Sequence, residues 1–233
     1  MNNYFVTGTD TGVGKTHVTA LLLAEFRRRG LRAVAMKPIA CGCDGRRDAE
    51  RFAAIINHEQ PLNLLNPIYL KHPLAPLVAA RLDRRKIRLS VVRTAYLQLS
   101  ALYELVLVEG AGGLLVPIRR NYFVADLARD LSLPLIIIAR LGLGTINHTL
   151  LTVRQAEAMR LKVAGIILND VAGGRKGLAE KTNVAFLPRL CGVPLLGVVP
   201  HGHGLSAARR IAERLLAEQR PANAVAAVRG NSC

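Results

Sequence analysis

The chain has 233 residues, 51% hydrophobic and 21% charged, so it can bury a sizeable core and is not a largely disordered polymer. Its 32 Lys and Arg against 16 Asp and Glu leave a formal charge of +16, a field that attracts any anion and selects none. With five Tyr, five Phe and no Trp, the stacking platform of a single-strand nucleic-acid binder is poorly supplied, and the charge reads as Arg-rich solvated faces.

Short apolar runs rich in β-formers alternate with longer helical patterns, the signature of a parallel sheet wrapped by helices. A strand is expected over Tyr4 to Thr7, then a helix from Lys15 to Arg29 that stops at Gly30. The strand Ala33 to Lys37 precedes a helix from Asp48 to Asn57, and a helix from Ser90 to Tyr103 precedes the strand Leu105 to Glu109. The helix Val124 to Leu131 ends before Pro134; the strand Leu135 to Ala139, the helix Thr145 to Arg160 and the strand Ala164 to Leu168 follow. The strand Leu195 to Val199 and the helix Leu205 to Gln219 complete the series. This predicts one α/β domain over residues 1–220, a mainly parallel central sheet flanked by helices, with 221–233 as a frayed tail.

Met1 leads directly into the first strand without the succession of a secretory signal, and no apolar run approaches membrane-spanning length. The four cysteines, Cys41, Cys43, Cys191 and Cys233, form no C-x-x-C pair or regular framework, so reduced thiols in a cytoplasm are expected.

In an open parallel sheet, ligands bind where loops leave the carboxyl ends of strands. The first such loop, Gly8-Thr9-Asp10-Thr11-Gly12-Val13-Gly14-Lys15-Thr16, follows a strand and opens a helix, the context of a phosphate-binding P-loop. Backbone N–H groups there surround phosphate oxygens, Lys15 supplies charge to the β and γ phosphates, and the Thr16 hydroxyl suits Mg2+. The spacing is one residue off the usual pattern, whose first glycine would stand at Thr9. Glu109 ends the apolar run Leu105-Val106-Leu107-Val108, so its carboxylate is expected at the loop end of a buried strand, where a Walker B acid holds Mg2+.

The loop just quoted, together with Lys37-Pro38-Ile39-Ala40, Val108-Glu109-Gly110-Ala111-Gly112-Gly113, and Gly142-Leu143-Gly144-Thr145-Ile146-Asn147-His148, resembles the dethiobiotin synthetase family in order and spacing. Asn169-Asp170 and Leu196-Gly197-Val198-Val199-Pro200 extend the resemblance over most of the chain. It implies a P-loop NTPase fold and an ATP- and Mg2+-dependent ring closure: 7,8-diaminopelargonate, CO2 and ATP give dethiobiotin, ADP and phosphate through a carbamate and its phosphoric anhydride.

Carried onto this chain, the resemblance makes Lys37 and Lys15 the catalytic cations and assigns Mg2+ to Thr16, Asp48 and Glu109. It gives nucleotide binding to Thr11, Gly12, Val13, Gly14, Lys15, Thr16 and His17, with Asn169 and the Pro200-His201-Gly202 loop at the adenine. Thr11, Lys37, Cys41, Gly112, Gly144, Thr145 and Asn147 fall to the substrate, the last three holding its carboxylate tail from a neighbouring subunit of a homodimer. Thr145 reads equally well as a helix N-cap, and Asp48 as a helix N-terminal acid. Gly12, Cys41 and Gly142 stand where some family members carry Glu, Ser and Lys, so those side-chain contacts do not transfer; Cys41 is expected to pack beside substrate as a small thiol, not to act as a nucleophile.

A switch ATPase of the chromosome-partitioning or septum-positioning kind is the main alternative. Ile211, Leu215 and Leu216 share a face of the last helix amid Arg209, Arg210 and Arg214, which resembles a membrane-surface helix; packing on the sheet is the plainer reading. Such switches carry a signature lysine early in the phosphate loop, where this chain has Asp10. No nucleic-acid or membrane partner is expected.

Overall fold

The computed structural model describes residues 3–42 and 46–217, so Cys43, Cys233 and the tail expected at 221–233 lie outside the described residues. In chain order, β1 (Tyr4–Gly8), α1 (Lys15–Arg28), β2 (Ala33–Met36), β3 (Ile39–Cys41), α2 (Arg47–Ile55), α3 (Leu62–Leu65), β4 (Ile68–Leu70), α4 (Pro76–Leu82) and α5 (Leu89–Leu102) lead to β5 (Leu105–Gly113). Then come β6 (Pro117–Arg119), β7 (Tyr122–Phe123), α6 (Val124–Asp130), β8 (Leu135–Arg140), α7 (Thr145–Ala158), β9 (Val163–Asn169), α8 (Leu178–Cys191), β10 (Leu195–Val199) and α9 (Leu205–Ala217).

Six strands form one sheet in the order β10-β9-β8-β1-β5-β2, with every pairing parallel. Parallel strands need crossover helices, which cover both faces; accordingly Leu105 to Val108 and Leu135 to Ala139 are buried throughout, as continuous apolar runs require. From β1 the chain turns one way to β2 and β5, and later the other way to β8, β9 and β10. The direction of winding therefore reverses at β1, and the crevice above that reversal is where such sheets bind ligands.

The six expected sheet strands and the six expected helices are all present, with ends moved by a few residues. Strand β5 runs on through Gly113 instead of stopping at Glu109, because Gly113 pairs with Gly8 of β1. The small sheet β3–β4, the hairpin β6–β7 and helices α3, α4 and α8 were not anticipated. Helix α8 contains Pro188 and buries only Asn183, Leu187 and Cys191, so it lacks the broad apolar stripe that reveals a helix in sequence.

Helix α9 packs against α1 and β10, and Ala207, Ala208, Ile211, Ala212 and Leu215 are buried there. The face that suggested a membrane-surface helix is thus part of the core. Among the described residues no helix is long and apolar enough to cross a membrane. The α1–α9 seam is pinned by Glu25, which takes Arg28 Nε at 2.7 Å and Arg29 Nε at 2.6 Å, while Arg29 reaches Glu213 at 2.9 Å. The bond from Arg28 outweighs the opposing effect of burial and, with Arg29, brings the Glu25 carboxyl down to about 2.

Because that folded value lies below the ordinary carboxylate range, the stabilisation is complete above the unfolded pKa of 4.5 and is lost as pH falls from there towards 2. Glu25→Gln should lower the melting temperature at pH 7 by about 2–4 °C, roughly 1 kcal/mol for a chain of this size. The gap should close in melts recorded near pH 2; a constant gap at all pH values would assign the loss to packing alone.

Candidate active site

The phosphate loop bends tightly between β1 and α1, and two glycines make the path possible. Gly14 sits at φ +88°, and a Cβ there would stand 2.1 Å from Asn169 Nδ2. A Cβ on Gly8 would come within 2.8 Å of Val13 and 3.0 Å of Lys15 Nζ, which explains why glycine occupies position 8 although the usual spacing would put it at 9. Lys15 Nζ donates to the Asp10 carbonyl at 2.9 Å, across the space the loop encloses. Burial, then the neighbouring Lys37, pull the Lys15 ammonium down to about 8, so it is a cation short of counter-charge.

Beneath the loop four side chains converge. Glu109, with no exposed surface, takes Thr16 Oγ1 at 2.8 Å and Lys37 Nζ at 2.5 Å on the same oxygen, Oε1. Lys37 Nζ also meets Asp48 Oδ2 at 2.8 Å. Burial alone would lower the Lys37 ammonium, but Glu109 and Asp48 outweigh it and hold it above the ordinary lysine value. Burial likewise raises the Asp48 carboxyl, and the charge and hydrogen bond of Lys37 bring it back below its usual range. Four elements deliver these groups, the end of β2, β5, the start of α1 and the start of α2, and Lys37 and Glu109, distant in sequence, meet only because β2 lies beside β5 in the sheet.

The donor set fits a hard cation. Glu109 Oε2 is buried and accepts no hydrogen bond among the described residues, and Thr16 and Asp48 add further oxygens. Among the described residues no group of three or more His, Cys, Asp or Glu assembles for a metal, so a cation here needs phosphate oxygens and water to complete its shell, as Mg2+ does.

These groups line a cleft of about 1030 Å3, which also takes in Thr11, Gly12, Gly14, His17, Cys41 and Gly112. Val13 points into the core instead, contributing its backbone to the loop. Burial, then Arg51 and His201, lower the His17 imidazole, so it enters the cleft as a neutral ring. Gly144, Thr145 and Asn147 do not line this cleft. They open α7, where Gly144, not Thr145, is the N-cap, and the buried Thr145 hydroxyl has no hydrogen-bond partner among the described residues. A second groove of about 410 Å3, lined in part by Leu115, Leu151 and His148 of α7, shares Thr11 and Val116 with the cleft.

On the far side of the phosphate loop, Asn169 ends β9 and its Nδ2 donates to the Val13 carbonyl at 3.0 Å. Pro200, His201 and Gly202 form the turn after β10, joined to the residue after Asn169 by His201 N–H to Asp170 at 3.4 Å. Two supporting residues escaped sequence reading. Asn66, fully buried, donates to the Lys37 carbonyl at 2.7 Å and the Ile68 carbonyl at 3.0 Å, fixing the backbone that presents Lys37. Asp170 is the other; only its place next to Asn169 marked it.

Cys41 is half-buried at the end of β3, and burial pushes its thiol up to about 11, so at pH 8 about one molecule in a thousand carries the thiolate. Cys41→Ser should keep turnover within about twofold. Mass-resolved iodoacetamide labelling of the Cys41 peptide at pH 8 should be much slower than that of a free thiol; rapid labelling or an inactive serine variant would contradict a packing role.

A family profile described as an AAA domain matches residues 2–209. Among solved structures, the MinC:MinD cell division protein complex of Aquifex aeolicus is similar with TM-score 0.57 at 14% identity, covering 94% of this chain and 97% of that one. The MinD cell division protein of the same organism gives 0.56 at 13%, covering 94% and 98%; at such identities the likeness is one of fold. An ATP-dependent dethiobiotin synthetase of Thermodesulfovibrio yellowstonii is 41% identical over 211 residues, 85% of this chain and 88% of that protein. Another, from Bacillus licheniformis, is 42% identical over 204 residues, 86% of each. Identity at this level over more than four-fifths of both chains places this one in the family of ATP-dependent dethiobiotin synthetases.

Proposed function

We propose that the chain is an ATP- and Mg2+-dependent cyclo-ligase that joins 7,8-diaminopelargonate and CO2 into dethiobiotin, a step of biotin synthesis carried out in the cytoplasm. The observation that carries this reading is Lys37, a buried ammonium held between Glu109 and Asp48 in the same cleft as Lys15 and the phosphate loop. A reaction in which each intermediate carries added negative charge needs such cations and no protein nucleophile.

The chemistry runs in three balanced steps. One substrate amine attacks CO2, forming an N–C bond and losing a proton to give a carbamate. A carbamate oxygen then takes the γ-phosphoryl group as its bond to the β-phosphate oxygen breaks, leaving ADP and a carbamic-phosphoric anhydride. The second amine attacks the carbonyl carbon, closes the ureido ring and expels phosphate, its proton passing to solvent. Lys15 neutralises the β and γ phosphates, and Lys37 stands to neutralise the carbamate and the phosphoryl group passing to it. Mg2+, held by Thr16, Asp48 and Glu109, would supply Lewis-acid charge to the phosphates. Thr11 and Gly112, with a Gly112-built Cβ lying 3.5 Å from Thr11 Oγ1, form the close wall on which the diamine rests.

Asn169 spends one Nδ2 N–H on Val13, and its Oδ1 is the acceptor we assign to the base. An acceptor suits the 6-amino group of adenine and opposes the 6-keto group of guanine, so ATP is the expected nucleotide. The substrate carboxylate is assigned to Gly144, Thr145 and Asn147 of a second subunit, at a helix N-terminus where the Thr145 N–H is already given to the Gly142 carbonyl at 3.3 Å and the following N–H groups point to the ligand. Support for a homodimer comes from the exposure of Leu151 and Leu115 in the groove that adjoins the cleft, and of Leu143 before Gly144. Burial of the apolar face of α9 removes the feature that favoured a switch ATPase.

The test is ADP release with Mg-ATP and bicarbonate, with and without 7,8-diaminopelargonate, and product mass read in parallel. Strict diamine dependence with the mass of dethiobiotin is expected; diamine-independent hydrolysis would refute the proposal. Lys37→Ala should reduce turnover by at least about a thousandfold, the scale of losing a transition-state cation, with ATP affinity within about threefold. GTP in place of ATP should raise KM by about tenfold or more, the penalty for facing two acceptors across one contact.

A further inference from the structure

The residue after Asn169 has no role in the chemistry above, yet it is one of the most deeply engaged carboxylates in the molecule. Asp170 is 4% exposed. Its Oδ1 accepts the Gly173 N–H at 3.1 Å; its Oδ2 accepts the His201 N–H at 3.4 Å and pairs with Lys176 Nζ. Lys176 Nζ donates onward to the Gly173 carbonyl at 3.2 Å, and the Asp170 N–H donates to the Val199 carbonyl at 2.9 Å. One side chain therefore ties the loop after β9 to the loop after β10. The tie is tight: Gly173 lies at φ +68°, and a Cβ on it would stand 3.0 Å from the His201 ring.

Both oxygens of Asp170 accept from the protein's own donors. Burial by itself would lift this carboxyl, but Lys176 and the two backbone N–H groups bring it below the ordinary range, which keeps it a pure acceptor. Neither Pro200 to Gly204 nor 170–177 belongs to the sheet, so the strand hydrogen bonds do not by themselves fix the distance between them.

We infer that Asp170 is a positioning residue for nucleotide recognition: it locks the Gly173 turn and His201 together beside Asn169, so that the wall around the base is formed before ATP arrives. This rests on the reading that Asn169 and the Pro200-His201-Gly202 turn hold adenine. An asparagine at 170 would put an NH2 where Lys176 or a backbone N–H now donates, leaving donors opposed and the loops unlinked. The phosphate loop, which Asn169 braces through Val13, would be unaffected. Preorganisation of this kind appears in affinity for the ligand that uses the wall and not for one that avoids it.

Inorganic tripolyphosphate with Mg2+ occupies the phosphate loop alone, so it separates the two effects. Equilibrium binding of Mg-ATP and of Mg-tripolyphosphate is measured on the wild-type chain, Asp170→Asn and Lys176→Met. Asp170→Asn should weaken Mg-ATP by about tenfold and change Mg-tripolyphosphate by less than twofold; KM for ATP should rise accordingly with kcat within twofold. Lys176→Met, in which the lost side chain is one-third exposed, should weaken Mg-ATP by about threefold with the same selectivity. Equal weakening of both ligands, a loss of kcat at unchanged KM, or unchanged ATP affinity in both variants would overturn the assignment. A wild-type chain that binds Mg-ATP no tighter than Mg-tripolyphosphate would instead overturn the adenine pocket itself, and the assignment with it.

Discussion

Glu109 carries a carboxylate to a point with no solvent exposure, at the level where β5 passes between β1 and β2. Taking such a charge out of water costs several kcal/mol, and removal of one partner from a buried pair typically costs about 3–5 kcal/mol. The surrounding structure answers that cost. Lys37 arrives from β2, Thr16 from the first turn of α1, and Asp48 from the first turn of α2 balances the excess charge of Lys37. The groups that would hold Mg2+ and neutralise a phosphoryl group are the same ones that make the buried carboxylate tolerable, so stability and chemistry share one cluster.

That cluster also explains why the fold alone says little about activity. The parallel sheet that brings β1, β2 and β5 together is shared in outline with the MinC:MinD cell division protein complex at 14% identity, a likeness of fold that carries no activity with it. What distinguishes this chain lies on the loops that leave the strand ends. Lys37, its backbone held by Asn66, opens a cleft walled by β3 and the start of α4, elements outside the main sheet.

The charge of +16 has a structural counterpart in part. Several arginines act as donors to backbone carbonyls at the margins of the sheet: Arg214 reaches Leu195 and Leu196 at 2.8 and 2.9 Å, Arg85 reaches Tyr69 at 2.7 Å, and Arg119 bonds Ile87. A planar guanidinium supplies several donors from one charge that is never lost. It therefore suits backbone carbonyls at strand ends and in loops, and Arg214, one of the three arginines that made α9 resemble a membrane-surface helix, in fact holds it to the start of β10.

The sequence by itself determined the alternation of apolar runs and helical stretches, hence the parallel sheet, and the Gly-Lys-Thr turn, hence a phosphate site. These are local properties, set by side-chain period and by the few residues that tolerate a tight turn before a helix. It did not reveal α3, α4, α8 or the small sheet β3–β4, because short or Pro-containing segments without a broad apolar stripe are stabilised by what they pack on. Nor did it reveal Asn66 or the role of Asp170, whose partners lie up to 31 residues away in the chain and come within bonding distance only through the order of the strands. Whether Lys37, Asp48 and Glu109 would meet was a tertiary question, since Lys37 and Glu109 are 72 residues apart and become neighbours only where β5 inserts between β1 and β2.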